Sequence, residues 1–160
     1  MKRPPEPTPV HRAVMRRNAP EVTQALIGGA AVDPVDRAGR TPLFYAALNG
    51  DVAIIDLLIS HHADVNAKDQ MLRTPLFAAA QSYEVDAASR LIAGGAEVDW
   101  RDSYGNTSLG RAAFESRGRG DMIKLLLSAG ADRSLKNKSG VSPEDLANTI
   151  ANYDVRQFFG

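Results

Sequence analysis

Thr41-Pro42-Leu43-Phe44-Tyr45-Ala46-Ala47 is echoed by Thr74-Pro75-Leu76-Phe77-Ala78-Ala79-Ala80, 33 residues further on. Thr107-Ser108-Leu109-Gly110-Arg111-Ala112-Ala113 follows after another 33. Asp36, Asp69 and Asp102 keep the same step, each five residues before its threonine. Ala30-Ala31-Val32-Asp33, Ala63-Asp64-Val65-Asn66 and Ala96-Glu97-Val98-Asp99 mark the other end of the unit at the same interval. A fixed period of this length is the signature of a repeat architecture, in which no unit buries a core alone and stacking supplies one.

Each unit reads as helix, turn, helix, loop. Thr41 is an N-cap and Pro42 the first helical residue, where the missing N–H costs nothing. Gly50 ends the first helix, and Ile54, Ile55, Leu58 and Ile59 form one apolar face of the second. Helices this short are unstable alone and must pack on their neighbours. The last unit, Asn137-Lys138-Ser139-Gly140-Val141-Ser142-Pro143, lies 35 residues after Asp102, so two residues are inserted within Phe114-Glu115-Ser116-Arg117.

The pattern Asp-x-x-Gly-x-Thr-Pro-Leu, a paired Ala-Ala and a Gly/His-Ala-Asp-Val-Asn-like end resembles the ankyrin repeat. The resemblance covers about residues 10–160 and implies an all-α solenoid of about five repeats. Its units are a capping repeat at 10–33, internal repeats at 34–66, 67–99 and 100–134, and a closing cap at 135–160. Residues 1–9, with four prolines, are expected to be an extended tail. Three departures stand out. The family's histidine after Thr-Pro-Leu is replaced by Phe44, Phe77 and Gly110, so its backbone bond is lost there and packing is expected to substitute. Leu72 occupies the place of Gly39, Gly105 and Gly140, so a different turn is expected. Tyr83 replaces the glycine that ends the first helix, and Arg90 replaces Leu57.

Composition bounds what else the chain can do. It has 160 residues, 19 basic and 19 acidic side chains and no cysteine. The balance removes any global attraction to nucleic acid or an anionic membrane. The lack of cysteine removes disulfides, thiolate zinc sites and a cysteine nucleophile. The first nine residues lack an apolar core for a secretory signal, and no run of about 20 apolar residues is present to cross a bilayer. A cytoplasmic location is the expectation. Aromatic residues make up 6% and alanine is the commonest residue, which fits thin layers of closely spaced helices.

No catalytic constellation is evident. His61 and His62 are adjacent at a helix end, and no His-x-x-x-His, nucleophile elbow or Walker-type lysine loop exists. Gly28-Gly29 and Gly94-Gly95 read as helix stops. Asp36, Asp69 and Asp102 are phased with the repeat and are expected to bond turn backbone. The chain is therefore expected not to be an enzyme and to need no cofactor or metal.

Repeat proteins bind through extended concave surfaces, and in the ankyrin family the hairpin tips and first helices line that face. The corresponding candidates here are Arg37, Arg40, Tyr45, Asn49, Met71, Arg73, Gln81, Trp100, Tyr104, Arg111, Phe114, Glu115, Arg117 and Arg119. Tyr, Trp and Arg are common interface anchors. The enlarged loop at Phe114–Gly120 is a further candidate. With Lys68 and Arg101, these residues imply a mildly basic concave strip. The outer helices and loops carry Asp51, Asp56, Asp64, Glu84, Asp86, Glu97, Asp121 and Asp132. A protein partner with an acidic patch, bound by a monomer, follows as the expectation.

Gly105–Leu109, Ser116–Gly120, Lys136–Pro143 and Ala151–Val155 are similar to bacterial ankyrin proteins encoded beside secreted polymorphic toxins. That resemblance implies an immunity protein that neutralises a cognate toxin or effector. The alternative is a general scaffold or adaptor, or a host-directed effector.

Overall fold

The computed structural model describes residues 6–150 and 153–160. Among them, nine α-helices are arranged in pairs, followed by a short 3-10 turn at Arg156–Phe158. The pairs are α1 (Pro9–Met15) with α2 (Ala19–Ile27), α3 (Pro42–Leu48) with α4 (Val52–Ser60), α5 (Pro75–Ser82) with α6 (Val85–Ala93), and α7 (Ser108–Glu115) with α8 (Asp121–Ser128). α9 (Pro143–Thr149) closes the stack with the 3-10 turn. First helices pack in one row, α1–α3–α5–α7–α9, and second helices in another, α2–α4–α6–α8. The fold is an all-α ankyrin-type solenoid, as the sequence period implies.

Capping starts the first helices uniformly. Thr8, Thr41, Thr74, Thr107 and Ser142 each accept a bond from the backbone N–H three residues on, satisfying a donor that the helix leaves unpaired. Between the two rows lies one continuous core. Leu43, Leu76 and Leu109 repeat in it at the period, as do the alanine pairs, and Ile54, Ile55, Leu58, Leu91, Ile123 and Leu126 face them from the second helices. Val155 and Phe159 are buried and Phe158 half-buried, closing the last layer.

The hairpin tips are stitched from repeat to repeat. Gln70 N–H donates to Ala38 O, Ser103 N–H to Met71 O and Lys138 N–H to Tyr104 O, all at 2.9 Å. On the far side Asp33, Asn66 and Asp99 each accept from the backbone of the next unit's loop. These ladders fix the repeat-to-repeat spacing independently of the core.

The structure bears on three expectations. The first repeat begins earlier than expected: Thr8 and Pro9 cap and open α1, so the tail ends before them, and its first five residues lie outside the described residues. Thr8-Pro9-Val10-His11 is in fact one period before Thr41. His11 therefore holds the family's histidine position. Its buried ring contacts Thr8 Oγ1 at 3.0 Å and Arg40 O at 2.8 Å, tying the first two repeats together. Secondly, Leu72 does not force a different turn. It adopts φ 59°, the left-handed conformation its glycine counterparts use, and its carbonyl accepts the Trp100 indole N–H at 2.7 Å. Trp100 thus anchors the Leu72 turn of the preceding repeat. Thirdly, part of the enlarged loop is tied into the fold, while Phe114 and Arg117 stay exposed. Ser116 is buried, and a Cβ on Gly120 would collide with the Phe158 ring. Tyr83, itself left-handed at φ 58°, sends its hydroxyl to Arg119 O at 2.6 Å and lies under the Arg119 guanidinium at 4.0 Å.

Candidate functional site

Capping and periodicity put every first helix on one side of the stack, so position in the repeat decides what faces the concave surface. The phased aspartates hold the tips. Asp36 Oδ1 accepts from Ala38 and Arg40 N–H, Asp69 Oδ1 from Met71 and Arg73 N–H, and Asp102 Oδ1 from Tyr104 and Asn106 N–H. Their second oxygens differ. Asp36 Oδ2 accepts the Tyr45 hydroxyl at 2.6 Å. Asp69 Oδ2 takes Arg73 Nε at 2.9 Å and Nη2 at 2.7 Å, with Arg40 Nε at 3.5 Å. Asp102 Oδ2 accepts no hydrogen bond among the described residues.

These contacts set the local electrostatics. Burial raises the pKa of Asp36, but the bonds from Tyr45, Arg40 and Ala38 outweigh it and leave the carboxyl below its ordinary range. Burial, reinforced by the Asp36 carboxylate, pushes the Tyr45 phenol up. Burial also raises Tyr83.

One groove of about 520 Å³ lies on the concave side, between the tips of the second and third internal repeats and α5, α7 and α9. Its apolar walls are Met71, Phe77, Tyr104, Phe114, Val141 and Leu146; Gln81, Asp102, Asn106, Asn137 and the Arg73 and Arg111 side chains supply polar edges. The groove follows from a missing side chain. Phe44 and Phe77 fill their repeats at this phase, and Gly110 leaves the third without a ring. A Cβ on Gly110 would meet nothing closer than 3.7 Å.

The groove brings together Met71, Arg73, Gln81, Tyr104, Arg111 and Phe114 from the expected set. Tyr104 is 60% and Phe114 63% exposed, large for aromatic rings on a folded surface. Glu115 reaches the groove through Arg111, which it pairs at 2.5 Å. Arg37, Arg40, Tyr45 and Asn49 sit at the other end of the stack, where Arg40 and Tyr45 bind structural carboxylates and Arg37 lies 3.6 Å from Glu6. Trp100 carries Lys68 at 3.4 Å over its ring and stands apart from the groove. Arg117 is exposed in the loop and Arg119 covers Tyr83.

The expected basic strip is therefore only partly neutralised within the chain. Arg40 and Arg73 share Asp69 and Arg111 pairs Glu115, whereas Arg101 bonds only the neutral carbonyls of Gly105 and Lys136 and keeps its charge. Residue counting treats these cations as available because pairing across turns does not show in a linear charge pattern. Phe77, Asn137, Val141 and Leu146 were not among the candidates. The signal that points to them is Gly110, the glycine at the phase of Phe44 and Phe77.

A family model for ankyrin repeats, in three copies, matches residues 2–69 and 68–137. The chain belongs to the ankyrin-repeat family. Among curated relatives it is 43% identical over 54 residues to the nuclear factor NF-kappa-B p105 subunit of Gallus gallus. It is 40% identical over 58 residues to the Arf-GAP with coiled-coil, ANK repeat and PH domain-containing protein 3 of Homo sapiens. These matches cover 34% and 35% of the chain but only 6% and 7% of the relatives, so the likeness is one of repeats rather than whole proteins. Ankyrin repeats are protein-interaction modules. Among the described residues no helix is long and apolar enough to cross a membrane.

Proposed function

We propose that this ankyrin-repeat chain is a non-catalytic protein-binding module whose main contact surface is the groove over Gly110. The observation that carries this reading is the groove itself: 520 Å³ of space on the concave side, bounded by two exposed aromatic rings. Aromatic side chains beside a recess act as interface anchors, since they contribute large contact area with little conformational entropy to lose. Filling the recess by Gly110→Phe, with a ring at the phase of Phe77, is the direct test. The substitution leaves the neighbouring helices in place and removes the space a partner needs.

The finer reading is a bacterial immunity protein that binds a cognate secreted toxin or effector in the cytoplasm and covers its working surface. It is supported by the similarity of residues 105–109, 116–120, 136–143 and 151–155 to such proteins; Ala151 and Asn152 lie outside the described residues. An acidic patch on that partner would meet cations outside the groove, chiefly Lys68, Arg101 and Arg117. Co-expression with toxins encoded beside the gene tests this reading. Rescue of growth with a stable complex supports it, and absence of rescue and complex refutes it. A general adaptor would instead retain a partner that is no toxin.

A further inference from the structure

The repeat supplies its own template for what the groove binds. In the preceding layer Arg73 donates through Nε and Nη2 to Asp69 Oδ2, and its guanidinium lies 5.9 Å from the Phe44 ring centroid. Arg40 lies over the same ring at 5.0 Å. One period on, the acid is Asp102 and the ring is Phe77, both lining the groove. The guanidinium has no counterpart. Asn106 stands at the phase of Arg40 and Arg73, and its Oδ1 is engaged by Asn137 Nδ2 at 2.8 Å. Asp102 Oδ2 accepts no hydrogen bond and no cation covers Phe77, among the described residues.

We infer that the groove takes an arginine side chain of a protein partner, its guanidinium on Asp102 Oδ2, beside the rim of the buried Phe77 and among the exposed Tyr104 and Phe114 rings. This rests on the protein-binding reading above. The neighbouring cations do not oppose it: Arg73 is held on Asp69 and Arg111 on Glu115, and Arg40 and Arg73 already lie together around Phe44. The new guanidinium continues that ladder by one step. Met71, Tyr104 and Phe114 offer apolar surface to its alkyl stem. Arginine is favoured over lysine because a planar fork both donates twice to one carboxylate and stacks on an aromatic face, whereas an ammonium is a compact, strongly hydrated charge.

The test uses the full chain, labelled with nitrogen-15, and three capped amino acids: N-acetyl-arginine amide, its lysine analogue and its uncharged citrulline isostere. The arginine probe is expected to shift backbone amides of residues 71–74, 76–77 and 102–111 with a dissociation constant of millimolar order. The lysine probe should bind several-fold more weakly and the citrulline probe not at all. Asp102→Asn keeps an oxygen for the Tyr104 and Asn106 amides and should weaken the arginine probe at least about tenfold, as loss of charged hydrogen bonds requires. Asn106→Arg provides a second route, placing the guanidinium within the chain; it should abolish probe binding while the protein stays folded. Equal shifts from arginine and citrulline, or arginine binding that survives both substitutions, would overturn the inference. Because no partner is used, such a failure leaves the module reading standing; only the absence of a Gly110-dependent partner removes that.

Discussion

Tyr83 offers the sharpest separation of backbone strain from packing. It holds φ 58° where Gly50 holds 68° in the preceding repeat, so Tyr83→Gly should relieve strain. The relief is about 1–2 kcal/mol, reduced by about 0.5–1 kcal/mol because glycine gains more freedom on unfolding. Against it stand three losses. The ring is only 6% exposed, and truncating a buried aromatic costs about 3–5 kcal/mol. Its 2.6 Å bond to Arg119 O contributes about 1 kcal/mol, and the Arg119 guanidinium about 0.5–1 kcal/mol. The net expectation is destabilisation of about 5 kcal/mol, read by urea unfolding, with faster amide exchange at residues 116–121. Leu72→Gly is the internal control. It removes the same strain at φ 59° from a side chain that is 44% exposed and leaves the Trp100 acceptor intact. It should change stability by no more than about 1 kcal/mol, in the stabilising direction. A Tyr83→Gly protein as stable as the parent would refute the reasoning, because strain rather than packing would then govern this corner.

Gly110→Phe should raise stability by about 1–2 kcal/mol, since glycine is costly inside a helix and the ring gains partial burial; a lower urea midpoint would contradict this. His11→Ala should cost about 2 kcal/mol through loss of the Thr8 and Arg40 contacts, with unfolding detected first at α1 and α2. Alkaline titration should destabilise the fold. Tyr45 and Tyr83 have folded pKa values above the ordinary phenol value of about 10, so the native state keeps its protons longer than the unfolded chain. Their stabilisation is complete below about pH 10 and is lost as pH rises through the folded values. Tyr83→Phe should flatten part of that loss. Asp36 acts at the other end: its folded pKa is depressed, so its contribution is present above the ordinary carboxylate value and lost as pH falls through the folded one.

The solenoid was readable because its determinants are local and periodic. Thr-Pro starts, alanine pairs and phased leucines each act within one unit, and a period of 33 aligns them without knowledge of the fold. The same register extends to the first repeat at Thr8-Pro9-Val10-His11, but four nearby prolines give that stretch the character of a tail. Leu72 misleads for a different reason: the strain is real, and what offsets it is Trp100, 28 residues away in the next unit. The site was legible only in part. Exposed aromatics such as Tyr104 and Phe114 follow from repeat position. The groove depends on an absent side chain at Gly110, and the availability of each arginine depends on carboxylates such as Asp69 and Glu115 that only the folded chain brings within reach.

The concave groove as the protein-binding surface is tested most directly by capture from the cells that naturally hold the chain, with wild type and Gly110→Phe as parallel baits. Bound proteins are quantified by mass spectrometry. Wild type should retain a defined protein in stoichiometric amount, and Gly110→Phe, folded and at least as stable, should lose it. A partner held equally by both baits, or none held by either, would contradict the assignment.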